Sequence, residues 1–262
     1  MTGIDTPEVD TLPAPQHRSH ERLTDTLASV PDDLADMPSY DDEWSIAQVA
    51  AHPGSGAQIF GQFLTAGLNG TPAPRAERFQ PVRAEWNAKS PTEQVREAVD
   101  ADARFPDSLD APPADGRRRW QLEMFGSHQT LASLVRMRLA EHVLHTWDIA
   151  TALDPSALLA SDAPELIVDN LAGIAKRVGK PTSETLLVAV QSETPHRLLR
   201  LELGTAGVQL RDGDPPSAAA LRLPAEAFIR LVYGRLDAEH TPPTVQSENL
   251  DLDTLRRAFP GV

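Results

Sequence analysis

The segment RLAEHVLHTWDIA, Arg138 to Ala150, sets Glu141, His142, His145 and Asp148 inside a run that is otherwise apolar and helix-forming. Titratable groups cost free energy where a core should be, unless something pairs with them. On an α-helix Glu141 and His145 are i and i+4, hence neighbours on one face, and Asp148 continues that face one turn later. A carboxylate and an imidazole one turn apart can grip a single divalent ion, with the helix fixing their separation. The same spacing also occurs as a surface pair, and taken alone it does not decide between the two. His142 lies about 100° round the helix from Glu141, outside the reach of the same ion, and reads as a boundary histidine bonded to backbone or solvent. Asp148 is either an acceptor that orients His145 or a charge at the helix exit. Trp147 points away from the Glu141 face and reads as core.

A catalytic ion needs a third protein ligand, and His52 in VAAHPGSGAQIF is the best candidate. It stands in an apolar helical stretch, where an imidazole must find a partner; a satisfied core histidine is the alternative. Pro53 deletes a helical N–H and crowds the carbonyl of Val49, while Gly54 and Gly56 loosen the next turn, so a kink or wide turn is expected there. His17, His20 and His128 are expected at exposed positions.

The elements that must carry these residues follow from periodicity. Residues 1–13 read as a disordered leader. A first amphipathic helix from Pro15 to about Val30 rests on Leu23, Leu27 and Val30. Asp42 is the expected N-cap of a second helix that begins near Trp44 and stops at Asn69-Gly70. Residues 71–90 look irregular. A third helix opens at Pro91 and carries Val95, Val99 and Phe105, and after a loop rich in proline and arginine the strongest helical pattern runs from about 127 to 153. A shorter helix, APELIVDNLAGIAKRVGK, follows. Beyond Pro181 the period changes: TLLVAVQ, RLLRLELG, GVQLRDGD and AAALRLP alternate like strands between turn residues, and PAEAFIRLVYGRLD and DLDTLRRAF return to helix. The fold class is therefore α plus α+β, with a helical bundle over residues 14–180 and a small α+β domain over 182–262.

Composition narrows the chemistry. At 262 residues and 40% hydrophobic content the chain can build real cores. A net charge of −14 argues against a nucleic-acid partner, which would call for clustered Lys and Arg. The Arg117–Arg119 cluster reads as a solvated turn. No run approaches the roughly 18 apolar residues of a membrane helix, and the acidic, proline-bearing start is unlike a targeting segment. A cytoplasmic protein, monomeric or homodimeric, is expected. There is no cysteine, so thiolate metal sites and a protein-borne thiol nucleophile are excluded.

Three segments, WSIAQVAAHPGSGAQIF, RMRLAEHVLHTWDIATALDP and LPAEAFIRLVYGRLDAEHTPP with its closing RRAFPGV, together resemble the mycothiol-dependent maleylpyruvate isomerase family. The resemblance implies a DinB-like metal-binding four-helix bundle followed by a sterol-carrier-like α+β domain. The family's His, Glu and His ligands fall on His52, Glu141 and His145, the set that spacing already favoured, leaving an open position as in a catalytic zinc site. The resemblance further implies an arginine of the C-terminal domain facing that position. Arg235 in LVYGRL is the first choice and Arg230 the second, to hold an anionic group of substrate or cosubstrate. It supplies the thiol as well: mycothiol, the small sugar-linked thiol that actinobacteria use in place of glutathione, or a related low-molecular-weight thiol. Zn2+ is the expected ion, and Asp148 is expected to assist the chemistry. The expected reaction on a small-molecule substrate is cis–trans isomerisation, by thiol addition to a conjugated double bond, or thiol transfer. Two other readings stand beside it: zinc-dependent hydrolysis with Asp148 or His142 assisting proton transfer, and a non-catalytic module that binds an apolar ligand and holds a structural metal.

Overall fold

The structure is a computed structural model that describes residues 10–40, 43–124 and 126–261. The chain divides into two compact units, Met1–Ala157 and Leu158–Val262.

Four long helices build the first unit: α1 (Pro13–Ala28), α2 (Ile46–Asn69), α4 (Pro91–Asp110) and α6 (Leu131–Leu153). Helices α1 and α2 each pack on both α4 and α6, which makes a four-helix bundle. Their ends are set by local chemistry. Ser45 caps α2 in a capping box with Gln48, Ser90 does the same for α4 with Glu93, and α2 stops at Gly70 in the left-handed conformation (φ 62°). The expected cap, Asp42, lies outside the described residues, as does most of the expected leader. Helix α2 runs through Pro53 without interruption, so the kink expected there is not found as a break.

The bundle core is layered. One apolar layer is built on Leu23, Leu27, Ile46, Val49, Ala98 and Ile149, and a second on Phe63, Leu64, Phe105, Leu109, Leu131 and Leu134. Along every one of the four helices the stretch between these layers carries buried polar groups: Gln16 and Ser19, Ser55, Asp102, and Arg138 with His142.

Two segments differ from the expected pattern. Residues 71–90 contain the helix α3 (Phe79–Asn87), seated on α2 with Trp86 buried. The helix expected from 127 begins at Leu131. The residues before it form β2 (Ser127–Thr130), which pairs antiparallel with β1 (Gln121–Met124) after the short helix α5 (Ala114–Arg119).

In the second unit a five-stranded sheet has the order β5-β4-β3-β6-β7, from β3 (Leu186–Glu193), β4 (Arg197–Gly204), β5 (Gly207–Asp212), β6 (Ala219–Pro224) and β7 (Gln246–Glu248). All pairings are antiparallel except β3 with β6. Val188 and Val190, Leu199, Leu201 and Leu203, Val208 and Leu210, and Leu221 and Leu223 point to one buried face, the two-residue period of a half-covered sheet. Helices α7 (Ala163–Ile167), α8 (Leu171–Val178), α9 (Ala225–Val232) and α10 (Leu252–Ala258) complete the unit. The boundary falls at 157/158 instead of 180/182, because α8 packs on β5 and both α7 and α8 pack on α9. Among the described residues no helix is long and apolar enough to cross a membrane.

Candidate metal centre

Helix α2 carries His52 and helix α6 carries Glu141 and His145, and the packing of the two helices brings these three side chains together. Glu141 Oε2 lies 3.5 Å from His52 Nε2 and 3.7 Å from His145 Nε2. The three donor atoms all lie within 4.8 Å of one another. A tetrahedral ion with ligands at about 2.0–2.1 Å holds its donors roughly 3.3–3.5 Å apart, so the two N–O separations are already close to those of one bound divalent ion. Each of the three residues is half-buried, which leaves a side open to a further ligand.

His145 is held from behind. Its Nδ1–H donates to Asp148 Oδ2 at 3.0 Å, which fixes the tautomer and turns the Nε2 lone pair toward Glu141. The Asp148 carboxylate is buried and therefore placed to orient His145. The Trp44 ring is nearly parallel to that of His145 (7°, centroids 6.4 Å apart) and tilted against that of His52 at 5.6 Å. Burial pushes His52 below its ordinary pKa, against the pull of Glu141, so the imidazole is neutral and available as a ligand near pH 7. Burial by itself would raise Glu141, but hydrogen bonds and charge from His145 and His52 outweigh it and hold the carboxyl well below its usual range.

His142 belongs to a separate arrangement, the polar layer of the bundle. Its Nε2–H donates to Asp102 Oδ2 at 2.8 Å and its Nδ1 accepts from Ser19 Oγ at 2.8 Å. Asp102 also accepts from His20 Nδ1 at 2.9 Å and from the Arg138 guanidinium. Arg138 reaches across to α2 as well, donating to the carbonyl of Pro53 at 2.8 Å. His142 is thus a core histidine with two side-chain partners, where a boundary position had been expected. His20, expected exposed, is half-buried, and its bond to Asp102 raises its pKa. His128 is exposed as expected and pairs with Glu123, whereas His17, also expected exposed, is half-buried and pairs with Asp110. Sequence reasoning missed Asp102, Arg138 and Trp86. The available signal was the pair of glycines after Pro53: a Cβ on Gly56 would stand 2.7 Å from Arg138 Nη1, and one on Gly54 2.5 Å from the Trp86 ring. These glycines admit the two large side chains.

The two candidate arginines of the second unit have different fates. Arg230 is fully buried, paired with Glu226 at 2.8 Å and donating to the carbonyl of His240 at 2.8 Å, so its guanidinium is committed to holding its own unit together. Arg235 is half-buried and donates from Nη1 to the carbonyl of Tyr233 at 3.0 Å.

A four-helix bundle with a clustered His/Glu/His donor set, joined to an α+β unit, defines the class. Residues 17–150, just over half of the chain, match the family model for the mycothiol maleylpyruvate isomerase N-terminal domain, and the chain belongs to that family. Among solved structures it is similar to the crystal structure of the mycothiol-dependent maleylpyruvate isomerase, at 15% identity and a TM-score of 0.65, with 91% of this chain and 92% of that one covered. A histidine-to-alanine mutant of that enzyme gives the same identity and coverage and a TM-score of 0.66. At that identity the likeness is one of fold. No curated protein sequence matches the chain.

Proposed function

We propose that this protein is a metal-dependent enzyme that uses mycothiol, or a related small thiol, as cosubstrate in isomerisation or thiol transfer on a small molecule. The observation that carries the reading is the His52, Glu141 and His145 donor set, spaced for one divalent ion, with Asp148 behind His145, in a domain of a mycothiol-dependent family.

In this reading His52, Glu141 and His145 hold the ion, which we take to be Zn2+. Bound there, it supplies an open position at which a thiol sulfur loses its proton near neutral pH. The chain has no cysteine of its own, so the reacting sulfur comes with the cosubstrate. Asp148 acts as a positioning residue, keeping the Nδ1 proton of His145 in place. Arg235 is our choice to hold an anionic group of the substrate, since Arg230 is occupied by Glu226. The thiol adds across a conjugated double bond; it then leaves after rotation, giving an isomer, or stays, giving a transfer product.

The test is metal content per chain, by elemental mass spectrometry, on wild type and His145→Ala prepared identically, followed by conversion of maleylpyruvate with and without added mycothiol. About one zinc lost in the variant, with turnover only when thiol is present, is expected. Turnover that ignores thiol would assign hydrolysis instead, and unfolding of the bundle on metal removal would assign a structural ion.

A further inference from the structure

Beside the donor set, within the first unit, lies a cavity of about 380 Å³ with His52 on its wall. Its other sides are formed by Trp44, Gln48, Ser55, Arg83, Trp86 and Asn87. Arg83 and Asn87 stand one turn apart on α3, and among the described residues neither side chain has a hydrogen-bond or ion-pair partner, in a chain where acids outnumber bases 38 to 24. The Trp86 indole N–H is buried without an acceptor. Gln48 spends its Oε1 on the N-terminus of α2, accepting from Ser45 N at 2.9 Å, which leaves its amide N–H groups for other partners. Ser55 Oγ donates to the carbonyl of His52 at 3.1 Å and keeps its lone pairs. Trp44 is 37% exposed, unusual for so large an apolar side chain beside a polar site.

These groups select a class of ligand. An apolar ligand would leave the guanidinium, the Asn87 amide and the Gln48 N–H groups without partners. A small dianion would call for more than one cation, and the cavity offers Arg83 alone. A polyhydroxylated ring meets every requirement: its C–H faces pack on indole rings, and its hydroxyls, each both donor and acceptor, meet amide, guanidinium and hydroxyl groups. The volume falls within the range of roughly 300–1,000 Å³ typical of small-molecule sites. We infer that this cavity binds the carbohydrate half of the thiol cosubstrate, with Arg83 and Asn87 as its main polar contacts, so that the sulfur lies toward His52. The inference rests on the thiol-dependent reading above.

The experiment uses glucosaminyl-inositol, the sugar half without its cysteine, as probe, read by tryptophan fluorescence on the full chain. Two of the four tryptophans line the cavity. Saturable quenching is expected in the zinc-loaded wild type and also in His145→Ala, because the probe has no sulfur to place on an ion. The double variant Arg83→Ala/Asn87→Ala changes two exposed residues and is expected to keep its circular-dichroism spectrum while binding the probe about tenfold or more weaker, about 1.4 kcal/mol per factor of ten. No saturable response in the wild type, or equal binding by the double variant, overturns the inference. So does a response to maleate with none to glucosaminyl-inositol, which marks an acid subsite. Probe binding needs neither metal nor turnover. Its loss in a protein that still turns over with thiol refutes the subsite alone, whereas probe binding without thiol-dependent turnover refutes the reaction and leaves the polyol site standing.

Discussion

Replacing Asp102 by alanine tests whether the polar layer, and not only apolar packing, holds the bundle. Arg138 is 1% exposed, lies 5.8 Å and 6.0 Å from the rings of Phe60 and Phe105, and has an Nε with no acceptor. Its charge is compensated by Asp102. Removing one partner of a buried pair costs about 3–5 kcal/mol, because the other is left charged in a poor solvent. A domain has only about 5–15 kcal/mol in total, so Asp102→Ala should lower Tm by roughly 6–20 °C at 2–4 °C per kcal/mol. The structure also orders the companion variants. Arg138→Met leaves Asp102 with two histidine partners and should cost less than Asp102→Ala. The double variant Asp102→Ala/Arg138→Met should recover much of the loss, since an apolar pair between two apolar layers needs no compensation. Urea denaturation of the four proteins, read by circular dichroism, gives the comparison. A loss below about 1 kcal/mol for Asp102→Ala, or a double variant no more stable than that single one, would refute the reasoning.

Other consequences are as direct. Burial would raise the Asp102 carboxyl, but His142 and Arg138 outweigh it and depress the pKa, and Glu141 is depressed too. Below about pH 4 the unfolded chain therefore binds protons before the folded one, so this stability is full above pH ~4 and lost as pH falls; Tm against pH should show a shallower acid limb in Asp102→Ala. Glu141→Gln should lose bound metal while its helical circular dichroism stays near wild type, because Leu131, Leu134, Val135, Leu139 and Val143 hold α6. Asp148→Asn should weaken metal affinity about ten- to hundredfold in a competition titration against a chelator. Gly54→Ala should cost about 1–3 kcal/mol and shift the tryptophan emission, since the new methyl must displace Trp86.

How much of this was legible in the sequence depends on whether the signal was local. Glu141 and His145 could be paired on paper because one helix sets their spacing, and β3 to β6 could be marked because alternation is written along each strand. β7 carries only exposed residues and has no such pattern. The amphipathic stretch 163–178 displays an apolar face, yet nothing in it tells which unit covers that face. Asp102, within VDADARF, has the look of a solvated helix acid; only the docking of α1 and α6 on α4 makes it the acceptor for three partners. The glycines after Pro53 were legible as an irregularity and misread in kind, since they give room to side chains and leave the helix whole. The polar groups of the opening segment thus divide between two sites on one helix. Arg138 binds the carbonyl of Pro53, the residue next to His52, and sits one turn before Glu141 and His142 on α6. The buried ion layer therefore ties α2 to α6 at the level where His52 must meet Glu141. A cluster whose donors need to agree within a few tenths of an ångström gains from a rigid brace just beneath it, which gives the charged layer a reason to persist in a core that apolar residues could fill.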